Sequence, residues 1–378
     1  MFPVTGGQYV FLRESLGPMC AFLCGWTFFL VVMSGNIAFL AIGFATYLSS
    51  LWPMNAAESR AVAVSIIALF TIINYRGLRL GETVQNILTL SKLGGIIILV
   101  GAAFLSHSPS PLERVHDADL TPHEFALALA GALVAYEGWS NLSFVNGEIR
   151  NPMRNIPIAL GVGVAASAAV YVLLTAAYLR VLPVAALASS VHVGRDVAAR
   201  VLGRNGATFV TLIILISILG STNGNVLAPP RLYFAQARDG MFFAQFAKVH
   251  PRFQTPSFSI LMQGAWASIL ASTGSYELVA TYAIFGAWFF YLLVVVGLIL
   301  LRRRRPAYRR PYRMWGYPAT PLLLVAVVGW FLISNLISNP VPSLGSVAVL
   351  ASGIPVYWFW KRRPVASGSQ VADALDPK

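Results

Sequence analysis

Residues 134–157 read VAYEGWSNLSFVNGEIRNPMRNIP, and they interrupt an apolar run that begins near Phe125. A carboxylate such as Glu137 and a glycine such as Gly138 are costly within a membrane unless they face protein or water. A helix broken at this point exposes backbone donors and acceptors that can hold a polar solute. The segment is therefore predicted to be a discontinuous transmembrane helix that carries half of a small-molecule site. The alternative is a kinked packing helix in which Glu137 is merely paired.

The composition is that of a membrane protein. Of the 378 residues, 57% are hydrophobic and only 11% are charged, whereas about a quarter of the residues of a soluble globular chain are charged. The net charge of +13 comes from basic residues in short loops between apolar runs. This is the positive-inside pattern, so no nucleic-acid partner is predicted. Because the sequence has no nucleotide-binding loop, nucleophile elbow or zinc-type spacing, no enzyme activity, cofactor or metal is predicted.

Ten apolar runs of about 20 residues are each predicted to span the membrane. They cover residues 18–48, 60–75, 84–105, 123–146, 157–180, 206–231, 257–273, 277–301, 318–338 and 344–360. The sixth run is predicted to be broken at Gly220–Asn225 and again at Pro229. Residues 1–363 are thus predicted to form one transmembrane domain, with a disordered cytoplasmic tail over residues 364–378.

Lysine and arginine are distributed unequally between the two sides of the predicted bundle. One set of alternate loops carries 18 of these residues and the other set carries 6. Because basic loops stay on the cytoplasmic side, both termini are predicted to be cytoplasmic in a multi-pass protein of the plasma membrane. The run Arg302–Arg305 is interpreted as the flank that stops transfer of the preceding span.

The order of motifs in the broken segment is that of a known family. Gly138-Trp139 is followed by Glu148, by Asn151-Pro152 and by residues 154–157, Arg-Asn-Ile-Pro. This order resembles the sixth transmembrane helix of amino-acid permeases of the amino acid–polyamine–organocation superfamily, nearest its L-type branch.

Two further motifs extend the resemblance over roughly residues 3–363. The first, which in the family follows the second helix, consists of Pro3, Gly6, Gly7, Tyr9 and Arg13. The second runs from Arg231 to Gly240 and is similar to a family signature that we interpret as an intracellular gating and folding element, not as a binding site.

The resemblance implies an all-α, LeuT-like bundle of two five-helix units with inverted topology. The chain is expected to hold the family's helices 3–12 and to lack the first two. The implied function is secondary active transport of amino acids by alternating access, either as proton-coupled symport or as exchange. A non-transporting sensor, a subunit or an inactive fragment on the same scaffold is the alternative. Neither the amino acid nor a protein partner is predicted.

The predicted substrate site joins the broken helix to residues of three other spans. It consists of Tyr136, Glu137, Gly138, Trp139, Ser140, Asn141, Asn36, Asn225, Tyr282 and Phe285. The unwound backbone at Tyr136–Trp139 would meet the carboxylate or the ammonium of the amino acid. The alternative for Asn36 is a hydrogen bond to its own helix or a neighbour. For Asn223 and Asn225 the alternative is hydrogen bonding between helices, and for the two aromatic residues it is core packing.

Lys92 is the one lysine within a predicted span. It lies about eight residues into the third span, roughly 12 Å deep, where a charge is expensive. Residues 84–93 resemble the family's fifth helix, in which a lysine of proton-dependent relatives takes the place of a sodium ion. Lys92 is therefore predicted to couple transport to protons. The alternative is a structural lysine paired with backbone carbonyls.

Overall fold

A computed structural model describes residues 2, 4–106, 124–125, 131–132, 135–190, 192–273, 276–307, 310, 312 and 314–361. This part of the chain is helical and contains no strand. The helices described over their full length are α1 (Gln8–Ser15), α2 (Pro18–Ser49), α3 (Ala56–Tyr75), α4 (Leu78–Leu105), α5 (Asn141–Phe144), α6 (Pro152–Val181), α7 (Val184–Ser189), α8 (Val193–Leu202), α9 (Gly206–Arg238), α10 (Ser257–Thr273), α11 (Tyr276–Arg304), α12 (Ala319–Ser338) and α13 (Pro340–Lys361).

The predicted multi-pass architecture is confirmed. Among the described residues, eight helices are long and apolar enough to cross a membrane, namely α2, α3, α4, α6, α9, α11, α12 and α13. The seventh predicted span forms α10, whose 17 residues lie at the short end of what crosses a bilayer. The fourth predicted span is described at residues 124–125, 131–132 and 135–146, and its other residues lie outside the described part of the chain, as does the tail predicted over 364–378.

Local sequence signals set several helix ends. Asn55 caps α3 by accepting from the backbone of Glu58, whose side chain in turn accepts from the Asn55 backbone, which is the reciprocal pattern of a capping box. The residue Asn151 adopts a left-handed conformation just before Pro152 begins α6, a position that suits proline because its missing N–H would be unpaired there.

Helix α9 corrects the prediction for the sixth span. It is continuous from Gly206 to Leu227, so the predicted break at Gly220–Asn225 is wrong. Polar side chains do not unwind a helix when they find partners, and the Asn225 amide donates to the Ser221 carbonyl at 2.9 Å. The helix is interrupted only at Ala228-Pro229, as predicted for Pro229, because proline lacks the N–H that a helix needs.

Three buried apolar clusters hold the helices together, of which the third joins α4, α6 and α8. The first joins α2, the end of α9 and α11 through Phe28, Tyr233 and Phe290, and the second joins α2, α3 and α10 through Ile37 and Ile260. Helix α9 packs against α2, α3 and α4, which places it inside the bundle. The outer helix faces carry exposed apolar side chains, as expected of a surface that meets lipid.

Candidate functional site

The predicted helix break lies at Tyr136–Ser140. Ala135 is helical, residues 136–140 form a turn, and α5 follows. Gly138 has a φ of 109°, a conformation that only glycine adopts readily. The turn is held by hydrogen bonds that a continuous α-helix would not make. The Ala135 carbonyl accepts from the Tyr171 hydroxyl at 2.6 Å, and the Gly138 carbonyl accepts from the backbone N–H of Asn141 at 3.1 Å.

A cavity of about 780 Å³ opens beside this turn, within the range of small-molecule sites. The broken segment, α2, α4, α6, α9 and α11 form its wall. Eight of the predicted functional residues lie on that wall: Tyr136, Glu137, Gly138, Trp139, Asn141, Asn36, Asn225 and Lys92. The structure thus brings together residues from four separate parts of the sequence.

Three predicted site residues do not lie on the cavity wall, which corrects their assignment. Ser140, the last residue of the turn, is buried and does not line the cavity. Tyr282 lies against α13, where its carbonyl accepts from Ser346 at 3.2 Å. Phe285 is buried in the first apolar cluster.

The orientation of α11 explains why Tyr282 and Phe285 do not line the cavity. Its cavity face carries Ala283, Ile284, Ala287 and Trp288, which are spaced as neighbours on one side of a helix. Tyr282 and Phe285 lie on other sides of the same helix. Core packing, the alternative for these aromatic residues, is what the structure shows for Phe285.

Tyr291 anchors the turn, and the sequence does not single it out. Its hydroxyl donates to Glu137 Oε1 and lies 2.9 Å from the Ser140 hydroxyl. Its ring centroid is 5.4 Å from that of Trp139. The available signal was a phenol three residues after Trp288 in the otherwise apolar stretch 283–301, because a buried phenol hydroxyl needs a partner.

Glu137 has one satisfied oxygen and one unsatisfied oxygen. Oε1 accepts from Tyr291, whereas Oε2 is buried and has no hydrogen-bond partner among the described residues. An unpaired oxygen of a buried carboxylate is costly when the group is ionised. Glu137 therefore places at the edge of the cavity a carboxyl group of which one oxygen has no donor among the described residues.

Lys92 faces the same cavity from the middle of α4. The helix begins at Leu78, earlier than the predicted span, so Lys92 lies about 21 Å along its axis at about 1.5 Å per residue. Within the described part of the chain, no hydrogen bond or ion pair involves Lys92. The predicted alternative, a lysine paired with carbonyls, is not what the structure shows.

The two asparagines of α9 have different surroundings. Asn225 lies on the cavity wall. Asn223 is fully buried, donates to the Gly81 carbonyl at 3.0 Å and to Gln85 at 2.9 Å, and accepts from Asn74 at 2.9 Å. Asn223 thus joins α9 to α3 and α4, and its predicted place on the solute pathway is corrected.

The segment from Arg231 to Gly240 makes polar contacts to the broken helix and to α1. Arg231 holds both carboxylate oxygens of Glu148, at 2.6 and 3.0 Å. Asp239 pairs with Arg13 and accepts from the Tyr9 hydroxyl at 2.7 Å. Burial raises the pKa of Tyr9, and the Asp239 carboxylate raises it further, so Tyr9 remains a neutral donor. None of these five side chains, from Arg231, Glu148, Asp239, Arg13 and Tyr9, lies on the cavity wall.

Comparison of the sequence with known proteins shows the family to which the chain belongs. A family model described as amino acid permease matches residues 1–360. The chain belongs to the amino acid permease family. The permease is thus a multi-pass membrane protein that transports amino acids, and the non-transporting alternative is not supported.

Relatives of the permease span most of its length. It is 29% identical to the serine/threonine exchanger SteT of Bacillus subtilis (strain 168), over 96% of the permease and 83% of the relative. It is 29% identical to the human b(0,+)-type amino acid transporter 1, over 95% and 75%. It is 26% identical to the human cystine/glutamate transporter, over 95% and 74%.

Proposed function

We propose that the permease exchanges amino acids across the plasma membrane by alternating access. The observation that carries this proposal is the cavity at the helix break, into which Glu137 and Lys92 both face without pairing with each other. The printed function of the Bacillus subtilis relative, serine/threonine exchange, supports the exchange mode.

The site suits the two charges of an amino acid. Backbone groups of the Tyr136–Trp139 turn face a cavity instead of continuing a helix, so they supply donors for a carboxylate and acceptors for an ammonium. Asn36 and Asn225 add side-chain amides from α2 and α9. Small residues on α6 and α9, such as Gly163 and Gly220, leave room for the amino-acid side chain.

Lys92 is proposed to couple transport to protons. A lysine at mid-membrane depth that has no partner among the described residues carries an expensive charge. It could toggle its proton during the cycle or act as a fixed cation that ties the broken helix to the bundle. Proton-coupled symport is the second candidate function, and the observation that favours it is that Lys92 has no hydrogen bond or ion pair within the described part of the chain.

Both termini are proposed to be cytoplasmic. The basic end of the bundle carries Arg13 and Arg302–Arg305, and the positive-inside pattern places that end in the cytoplasm. The contacts of Arg231 and Asp239 then lie on the cytoplasmic side, where they are proposed to stabilise the closed state of an inner gate.

The test is counterflow in proteoliposomes loaded with unlabelled serine. We expect saturable uptake of labelled serine that requires an amino acid inside, and binding without flux would contradict the proposed function. Lys92→Ala is expected to remove the pH dependence of uptake. Lys248→Ala, which removes an exposed lysine between α9 and α10, is the matched control. An unchanged pH profile in Lys92→Ala would exclude the coupling role while leaving exchange intact.

A further inference from the structure

A second cavity, of about 470 Å³, lies where α11 ends. We call it the arginine pocket, and its lining residues are Arg302, Arg303, Pro306, Arg310, Met314 and Tyr317. The surrounding sequence, residues 301–317, contains seven arginines, and residues 278–372 contain no aspartate or glutamate. The pocket is therefore strongly positive and has no carboxylate nearby in the sequence.

Part of this arginine run has a purely structural use. Arg304 donates to the Ser15 carbonyl at 3.3 Å, and Arg305 lies 3.5 Å from Glu14. Arg310 donates to the carbonyls of Arg305 and Pro306 at 2.7 and 2.8 Å. These bonds close the end of α11, where cations also offset the negative end of the helix dipole.

Arg302 and Arg303 take no part in these bonds. Neither belongs to an ion pair within the described part of the chain. The Arg302 guanidinium lies 3.9 Å from the centroid of the Tyr317 ring, and its Nε is buried without a hydrogen-bond partner among the described residues. A guanidinium fixed by an aromatic face keeps its planar set of donors oriented, which suits a phosphate.

The surroundings of the pocket are those of the membrane surface. Trp315 and Tyr312 beside it are 85% and 58% exposed, and such aromatics occur where headgroups meet water. Leu322 and Leu323, in the first two turns of α12, are also exposed. A positive pocket next to an apolar helix face fits an amphiphile, with the phosphate in the pocket and acyl chains along α12.

We propose that the arginine pocket binds the phosphate of an anionic phospholipid headgroup, with Arg302 and Arg303 as its principal ligands. Zwitterionic lipids carry an ammonium that the surplus positive charge disfavours, so the pocket selects headgroups with net negative charge. This site is separate from the amino-acid cavity, with which it shares no lining residue.

Lipid binding can be measured on the purified full chain in detergent by native mass spectrometry and microscale thermophoresis. The probes are dioctanoyl-phosphatidylglycerol, dioctanoyl-phosphatidylcholine and inorganic phosphate. We expect saturable binding of the phosphatidylglycerol and much weaker binding of the other two. The double variant Arg302→Gln with Arg303→Gln should weaken it roughly 30-fold, equivalent to about 2 kcal/mol at about 1.4 kcal/mol per tenfold.

Arg305→Gln is the matched control for the single variants Arg302→Gln and Arg303→Gln, because each removes one charge from the same run and only Arg305 lies outside the pocket lining. It should change the affinity less than twofold. Should the double variant fail to fold, as judged by its melting temperature, the pair Tyr317→Phe and Tyr317→Leu provides the test, because only the phenyl ring keeps the face on which Arg302 lies. Equal effects of Arg302, Arg303 and Arg305 changes, equal binding of phosphatidylcholine, or saturable binding of inorganic phosphate with the same affinity would each overturn the proposal.

Discussion

Replacing Tyr291 with phenylalanine tests whether one hydroxyl holds the helix break in its binding geometry. The hydroxyl is bonded to Glu137 and Ser140, whereas the ring contacts Trp139 and Trp288. Phenylalanine keeps the ring and removes both hydrogen bonds. The substitution therefore separates the polar anchor from the aromatic packing.

The size of the effect follows from the two groups that lose their partner. Ser140 is 1% exposed, so water does not replace its lost bond, whereas Glu137 is half-buried and lines the cavity, where water replaces part of the bond that it loses. An unsatisfied buried polar group costs about 1–3 kcal/mol, partly offset because the phenol hydroxyl itself no longer has to be desolvated. We expect a net loss of about 2 kcal/mol from the ordered turn, or roughly a 30-fold rise in the half-saturating concentration for exchange.

The assay is counterflow of a labelled amino acid over a range of external concentrations. Tyr282→Phe is the matched control, because it removes the same hydroxyl from the same helix, away from the cavity wall. A Tyr291→Phe protein with a half-saturating concentration within twofold of the wild type would refute the reasoning. An equal defect in Tyr282→Phe would show that the effect belongs to α11 as a whole.

Two other predictions separate backbone strain and packing from binding. Gly138→Ala is expected to reduce uptake about 5- to 30-fold without preventing membrane insertion, because a φ of 109° strains any other residue by about 1–2 kcal/mol. Gly161→Ala, at a helical glycine with equally open surroundings, should transport normally. Asn223→Ala is expected to lower the free energy of unfolding by about 2 kcal/mol because buried partners lose their bonds, as measured by thermal unfolding, whereas Asn225→Ala should impair uptake with little change in melting temperature. A reversed pattern between the two asparagines would contradict their assigned places.

The positions of the spans and of the helix break could be predicted from the sequence because both depend on local composition. A run of about 20 apolar residues can satisfy its backbone in lipid only as a helix. Within such a run, Glu137-Gly138 marks a break because glycine permits a backbone conformation that other residues resist. The same logic failed at Gly220–Asn225, because polar side chains there find partners on neighbouring helices.

The direction in which each span faces was decided by the tertiary structure. Asn223 and Asn225 are two residues apart, so they point to nearly opposite sides of α9, and one joins helices while the other reaches the cavity. On α11, Tyr291 contacts the broken helix, whereas Tyr282 lies against α13 and Phe285 lies in the first apolar cluster. A helix that is apolar on all sides carries no amphipathic stripe to reveal its inner face. Only the packing of the other helices determines which polar side chains meet in the cavity.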